Sequence, residues 1–135
     1  MTHEEFDRFN DLALRRLACA IVRDAVDDYR ETKKKIAICE IELAYRQGED
    51  DSEGVDEMNA VIELLNRNIN LIIKFFNSRK FALLAPDLSP TAVIEALNKQ
   101  ADKADVWPDY VKWKKQEQRK KKRKQKQHEQ HSISH

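Results

Sequence analysis

Leu14, Ala18, Ile21, Ala25, Tyr29, Thr32, Ile36, Cys39 and Leu43 stand three or four residues apart, the spacing that lines one face of an α-helix. Thr2-His3-Glu4-Glu5 has the form of a capping box, and no Gly or Pro follows it before Gly48. The pattern predicts one uninterrupted helix over this stretch, long enough to need a partner along its length. The polar run from Gln47 to Gly54 predicts a reversal. Met58, Ile62, Leu65, Ile69, Ile72 and Phe76 then alternate steps of four and three, which predicts a second helix packed antiparallel on the first. Val61, Leu64, Ile73 and Phe75 widen its apolar arc, so packing on two sides is expected.

Asn77-Ser78 marks the end of that helix, and Phe81, Leu83 and Leu84 form a short apolar element closed by Pro86. Ser89-Pro90 is an N-cap followed by proline at the first helical position, and Val93, Ile94 and Leu97 supply the buried face of the helix it opens. This helix is expected to fade near Ala101. Residues 1–104 thus read as a helical body, 105–111 as a linker containing Trp107-Pro108, and 112–135 as a basic tail, disordered or a solvated helix. The fold class is all-α: a long antiparallel helical hairpin with one short and one medium helix. Tyr29, Phe75, Phe76 and Phe81 are expected in the core.

Composition narrows this further. The 135 residues are 41% hydrophobic and 36% charged, with only two Gly and three Pro, which excludes sandwiches, barrels and doubly wound sheets. No apolar run approaches the roughly 18 residues of a membrane span, and the first residues lack a signal pattern, so no membrane span and no export are expected.

The net charge of +1 conceals a division. Residues 1–111 carry 15 Lys and Arg against 22 Asp and Glu, a net −7, while residues 112–126 carry ten basic residues against Glu117 alone, a net +9. Lys112, Lys114, Lys115, Arg119, Lys120, Lys121, Lys122, Arg123, Lys124 and Lys126 can neutralise phosphates, and Trp113 can stack on an unpaired base. Nothing in the tail reads base edges, so the contact expected is sequence-independent nucleic-acid binding; a solubilising tail is the plainer alternative. At the reversal, Glu49, Asp50, Asp51, Glu53, Asp56 and Glu57 are either a solvated turn or a mimic of a phosphate backbone that docks on a basic protein groove. Their register does not fit a calcium loop.

Asp24, Asp27, Asp28 and Glu31 crowd the first helix, but Arg23 lies four before Asp27 and Lys35 four after Glu31, the spacing of surface ion pairs. No Walker loop, Rossmann glycine set, Glu-x-x-His pair or H-E-x-x-H helix is present, which leaves no catalytic constellation, no cofactor and no metal to expect. Cys19 and Cys39 share one predicted helix roughly 30 Å apart and cannot bridge. His128, His131 and His135 have helical spacing but no supporting shell of partners.

The stretch Lys74-Phe75-Phe76-Asn77-Ser78-Arg79-Lys80-Phe81-Ala82-Leu83-Leu84, continuing through Asp87 to Ile94 and Leu97, with Val26-Asp27-Asp28-Tyr29-Arg30 upstream, resembles small uncharacterised helical proteins of phages and integrated mobile elements of Gram-positive bacteria. The likeness spans about residues 18–97, with Lys80 where a Trp is expected and a longer acidic connector. It implies a phage or prophage accessory protein in a bacterial cytoplasm and carries no activity over. The function expected is non-enzymatic: nucleic-acid contact through the tail, and contact with a host or phage protein, or a homodimer, through the body. The alternatives are an inhibitor of a host defence nuclease or polymerase acting through the acidic reversal, and an oligomeric structural or assembly protein.

Overall fold

The computed structural model describes residues 2–133, with side-chain surroundings described to Gln127. Among them five helices follow one another: α1 (His3–Gly48), α2 (Ser52–Phe76), α3 (Arg79–Leu84), α4 (Pro90–Lys103) and α5 (Trp107–Ile133). There is no strand among the described residues. The helices fall into two compact units, residues 1–104 and 105–135.

Each boundary in the first unit has a local cause. The Thr2 hydroxyl accepts from the Glu5 N–H at 3.2 Å while the Glu5 carboxylate accepts from the Thr2 N–H at 3.1 Å, the reciprocal box that starts α1. Asp51 caps α2 by accepting from the Gly54 N–H at 3.0 Å. Ser78 and Ser89 accept from the N–H groups of Phe81 and Ala92 and open α3 and α4. Helix α2 therefore begins at Ser52, inside the run expected as a turn, because the Asp51 carboxylate satisfies one of its free first-turn donors, the Gly54 N–H. The reversal is shortened to Glu49–Asp51, with Asp50 in the left-handed region at φ 53°.

Helices α1 and α2 lie along each other with residue pairs in reversed order. Arg46 meets Glu57, Thr32 meets Asn68, and Tyr29 meets Phe76. The core gathers where α1, α2, α3 and α4 converge: Tyr29, Ile36, Ile69, Ile72, Phe76, Phe81 and Leu97 are buried together. Phe76 sits edge-on to Phe81, with ring centroids 5.3 Å apart, and to Tyr29 at 6.4 Å; Phe75 is edge-on to Phe81 at 5.9 Å. The Tyr29 hydroxyl donates to Asn98 Oδ1, and Arg30 Nε donates to Gln100 Oε1 at 3.1 Å, fastening α4 to α1.

Three expectations need correction. The apolar stripe of α1 is buried only from Tyr29 onward; Leu14 is 64% exposed and Ile21 is also exposed. The reason is length. Helix α2 has 25 residues against 46 in α1, so by the point where Phe76 faces Tyr29 it has ended. The segment 105–111, expected as a linker, is helical from Trp107, since Asp105 accepts from the Trp107 N–H at 3.1 Å and Pro108 occupies the first turn, where a missing donor costs nothing. Helix α4 likewise runs to Lys103, past Ala101.

Candidate functional site

Helix α5 gathers the basic residues into a pattern. At ~100° per residue, Lys112, Lys115, Arg119, Lys122, Arg123 and Lys126 fall within about 100° of arc and extend over roughly 21 Å of axis. All six are exposed. Lys114, Lys120, Lys121 and Lys124 lie outside the arc, and Lys120 Nζ pairs with Glu117 Oε1 at 3.5 Å. The aromatic residues occupy the other side: the Tyr110 ring lies 5.4 Å from Trp107 and 6.0 Å from Trp113, and Tyr110 is buried. Trp113 is half-buried and more than ~100° round the helix from the middle of the cationic arc, so it is not placed with those cations as a base-stacking platform. Neighbouring like charges within one arc repel, and water and salt screen them.

The acidic residues divide differently. Arg46 organises the reversal: its Nε donates to Glu42 at 3.2 Å and its Nη1 donates both to the Gly54 carbonyl at 3.0 Å and to Glu57 at 3.2 Å. Glu42 is 2% exposed. Burial works against the Arg46 charge, but the hydrogen bonds and charges of Glu42 and Glu57 outweigh it and raise the guanidinium pKa above its ordinary value. Asp51 caps α2 and Glu57 pairs with Arg46, and these two are exposed along with Glu49, Asp50, Glu53 and Asp56. A shallow pocket of about 320 Å³ beside Arg46 is lined by Gln47, Asp50, Asp51, Ser52, Val55 and Asp56. The buried Glu42 was not singled out in the sequence; the one available signal was its i,i+4 spacing to Arg46.

A third surface surrounds the unaccompanied half of α1. Phe6, Phe9, Leu12, Leu14, Leu17 and Ile21 are exposed, and a cleft of about 810 Å³ lies between Leu14, Leu17 and Ala18 on one wall and Leu83, Leu84 and Leu88 on the other. Arg15, Cys19 and Asp87 also line it. Leu14, Ala18 and Ile21 belong to the apolar stripe that spacing picks out as needing a partner, whereas Phe6, Phe9, Leu12 and Leu17 lie off that stripe and carry no such signal.

No group of three His, Cys, Asp or Glu that could hold a metal occurs among the described residues, and none of the described helices is long and apolar enough to cross a membrane. Asp27 pairs with Arg30 at 3.8 Å, in keeping with a solvated surface for that carboxylate. Cys19 is exposed and Cys39 buried, both as free thiols. His128, His131 and His135 have side chains outside the described residues. Comparison with family models, with curated proteins and with solved structures finds no match to this chain.

Proposed function

We propose that this protein is a non-enzymatic accessory binding protein of the phage and mobile-element kind, in which α5 grips nucleic-acid phosphates without reading sequence and the α1–α2 hairpin offers protein-binding surface. The observation that carries the reading is the single cationic arc of α5: six exposed Lys and Arg side chains along one side of a helix, with the aromatic residues on the other. A straight row of charges at helical spacing follows a phosphate backbone, and each phosphate it neutralises releases condensed counterions. With Trp113 packed beside Tyr110, the contact rests on charge alone. An inhibitor that imitates phosphate would present six exposed carboxylates at the reversal, two of which, Asp51 and Glu57, already accept hydrogen bonds within the fold.

The test is fluorescence anisotropy of a labelled duplex titrated with the full chain at several salt concentrations. Six phosphate contacts give a slope of log K against log salt of about −5. Binding that is flat with salt, or unchanged when Lys112, Lys115, Arg119 and Lys122 are all replaced by Ala, overturns the proposal.

A further inference from the structure

Helix α5 is held unequally along its length. At its start Asp105 accepts from the Trp107 N–H, the Tyr110 ring meets those of Trp107 and Trp113, and Tyr110 is buried. Half-buried side chains recur as far as Glu117. From Gln118 to Gln127 every side chain is exposed, and the stretch has no apolar residue and no carboxylate against seven Lys and Arg. Four pairs of these cations stand three apart and three pairs stand four apart, so seven like-charge repulsions act across single turns of helix. Each weighs against the helix by a factor of about 1.5, and together they weigh on the order of tenfold. Opposing them are the good helix propensities of Lys, Arg and Gln and a nucleus supplied by the anchored turns. Each residue added to an existing helix is favoured by a factor of about 1–1.6, so ten additions also reach on the order of tenfold. The two effects nearly cancel, which poises the stretch between helix and coil.

We infer that a nucleic acid completes this helix as it binds, so that the phosphate-binding surface is finished by its own ligand. The inference rests on reading α5 as a phosphate-binding helix and adds how that surface is assembled. Arg119, Lys122, Arg123 and Lys126 of the six-cation arc belong to the poised stretch, while Lys112 and Lys115 belong to the anchored one. As coil, the chain aligns two of the six; as helix, it aligns all six along about 21 Å. Four of the seven repulsive pairs join cations of this arc. Phosphates therefore favour the helix twice over: they meet more cations there, and they neutralise the repulsion that opposed it. A ligand shifts such a balance only by its differential affinity for the two forms, and the difference here is four phosphate contacts. Ordering is paid out of affinity, since the apparent dissociation constant exceeds the intrinsic one by the inverse of the helical fraction. Salt then acts in two senses, raising the helical fraction of the free chain while weakening the contact itself.

Cα chemical shifts of the isotopically labelled full chain read the helical fraction residue by residue, first alone at low salt and then with a saturating DNA duplex. The expected result is partial helix at residues 118–127 in the free chain, rising with the duplex and also with sodium chloride alone, while residues 107–117 stay unchanged. Gln118 and Gln125 lie outside the arc and carry no charge, so they test the coupling through affinity. Gln118→Gly with Gln125→Gly should weaken duplex binding about fivefold at an unchanged salt slope, and Gln118→Ala with Gln125→Ala should tighten it about twofold. Helix propensity enters the affinity only where helix forms on binding; in a helix complete beforehand it cancels between free and bound chains. A full helix at 118–127 in the free chain at low salt, or Gly and Ala variants that bind as the wild type does, overturns the inference and leaves phosphate binding by α5 standing. No duplex binding at any salt overturns both.

Discussion

Glu42 accepts a hydrogen bond from Arg46 Nε at 3.2 Å one helical turn away, and the same guanidinium reaches across the reversal to the Gly54 carbonyl and Glu57. One side chain thus ties the last turn of α1 to the first turns of α2. Since Glu42 is almost wholly buried, removing Arg46 takes a charged hydrogen-bond partner from a carboxylate that water barely reaches. Arg46→Ala is expected to cost about 3 kcal/mol, and the joint replacement of Glu42 and Arg46 by Met markedly less than the two single changes combined. Urea unfolding of the four proteins of this cycle measures the coupling; strict additivity would show that the pair is not a unit.

Gly54 lies in the first turn of α2, where alanine normally stabilises a helix by about 1 kcal/mol. Here a Cβ would come within 2.8 Å of Arg46 Cδ and closer still to the Asp51 carboxylate. Displacing the cap and the guanidinium together outweighs the propensity gain. Gly54→Ala should lower stability by about 1–3 kcal/mol, read as a shift in the urea midpoint, whereas Gly48→Ala, with open space around it, should not.

Tyr29 is 1% exposed, and burial, only partly offset by its hydrogen bond to Asn98, pushes its phenol pKa above the ordinary 10.0. The folded state therefore holds this proton more tightly than the unfolded chain. The contribution is complete below pH 10 and is lost as pH rises through the folded pKa, so unfolding should grow easier only on the alkaline side. Tyr29→Phe should flatten that limb of the stability profile and cost about 1 kcal/mol at neutral pH for the lost bond.

The two thiols should separate by rate. Burial, against the partly opposing charge of Arg46, raises the Cys39 pKa, with Glu40 and Glu42 adding to the rise, while Cys19 is exposed at the cleft beside Leu83–Leu88. A disulfide reagent at pH 8 should modify one equivalent quickly and the second only on unfolding. Cys19→Ser should abolish the fast phase.

The arc on α5 makes the order of effects on nucleic-acid binding predictable. Replacing Lys112, Lys115, Arg119 and Lys122 by Ala should reduce the salt slope by about 3–4, each lost contact removing about 0.9. Replacing Lys114, Lys120, Lys121 and Lys124 removes the same formal charge from other sides of the helix and should reduce it less. Equal losses would mean that the strand meets an unordered cationic cloud and not one side of a helix.

Much of this architecture is written locally. The Thr2–Glu5 box, the Ser78 and Ser89 caps, Pro90 and the residue spacing of α2 specify helix starts and faces through contacts within a few positions, and those contacts form wherever the chain goes. The same holds for the charge division at Lys112, since it needs only counting. Periodicity, however, records which residues share a face and not whether anything lies opposite. Leu14 and Ile36 stand on one apolar stripe of α1, yet Ile36 is buried and Leu14 is in water, because the relative lengths of α1 and α2 and the docking of α3 and α4 decide where cover ends. Only the tertiary structure could bring Glu42, Arg46, Gly54 and Glu57 to one point, since hydrogen bonds across a reversal depend on the register of two helices and not on spacing along either.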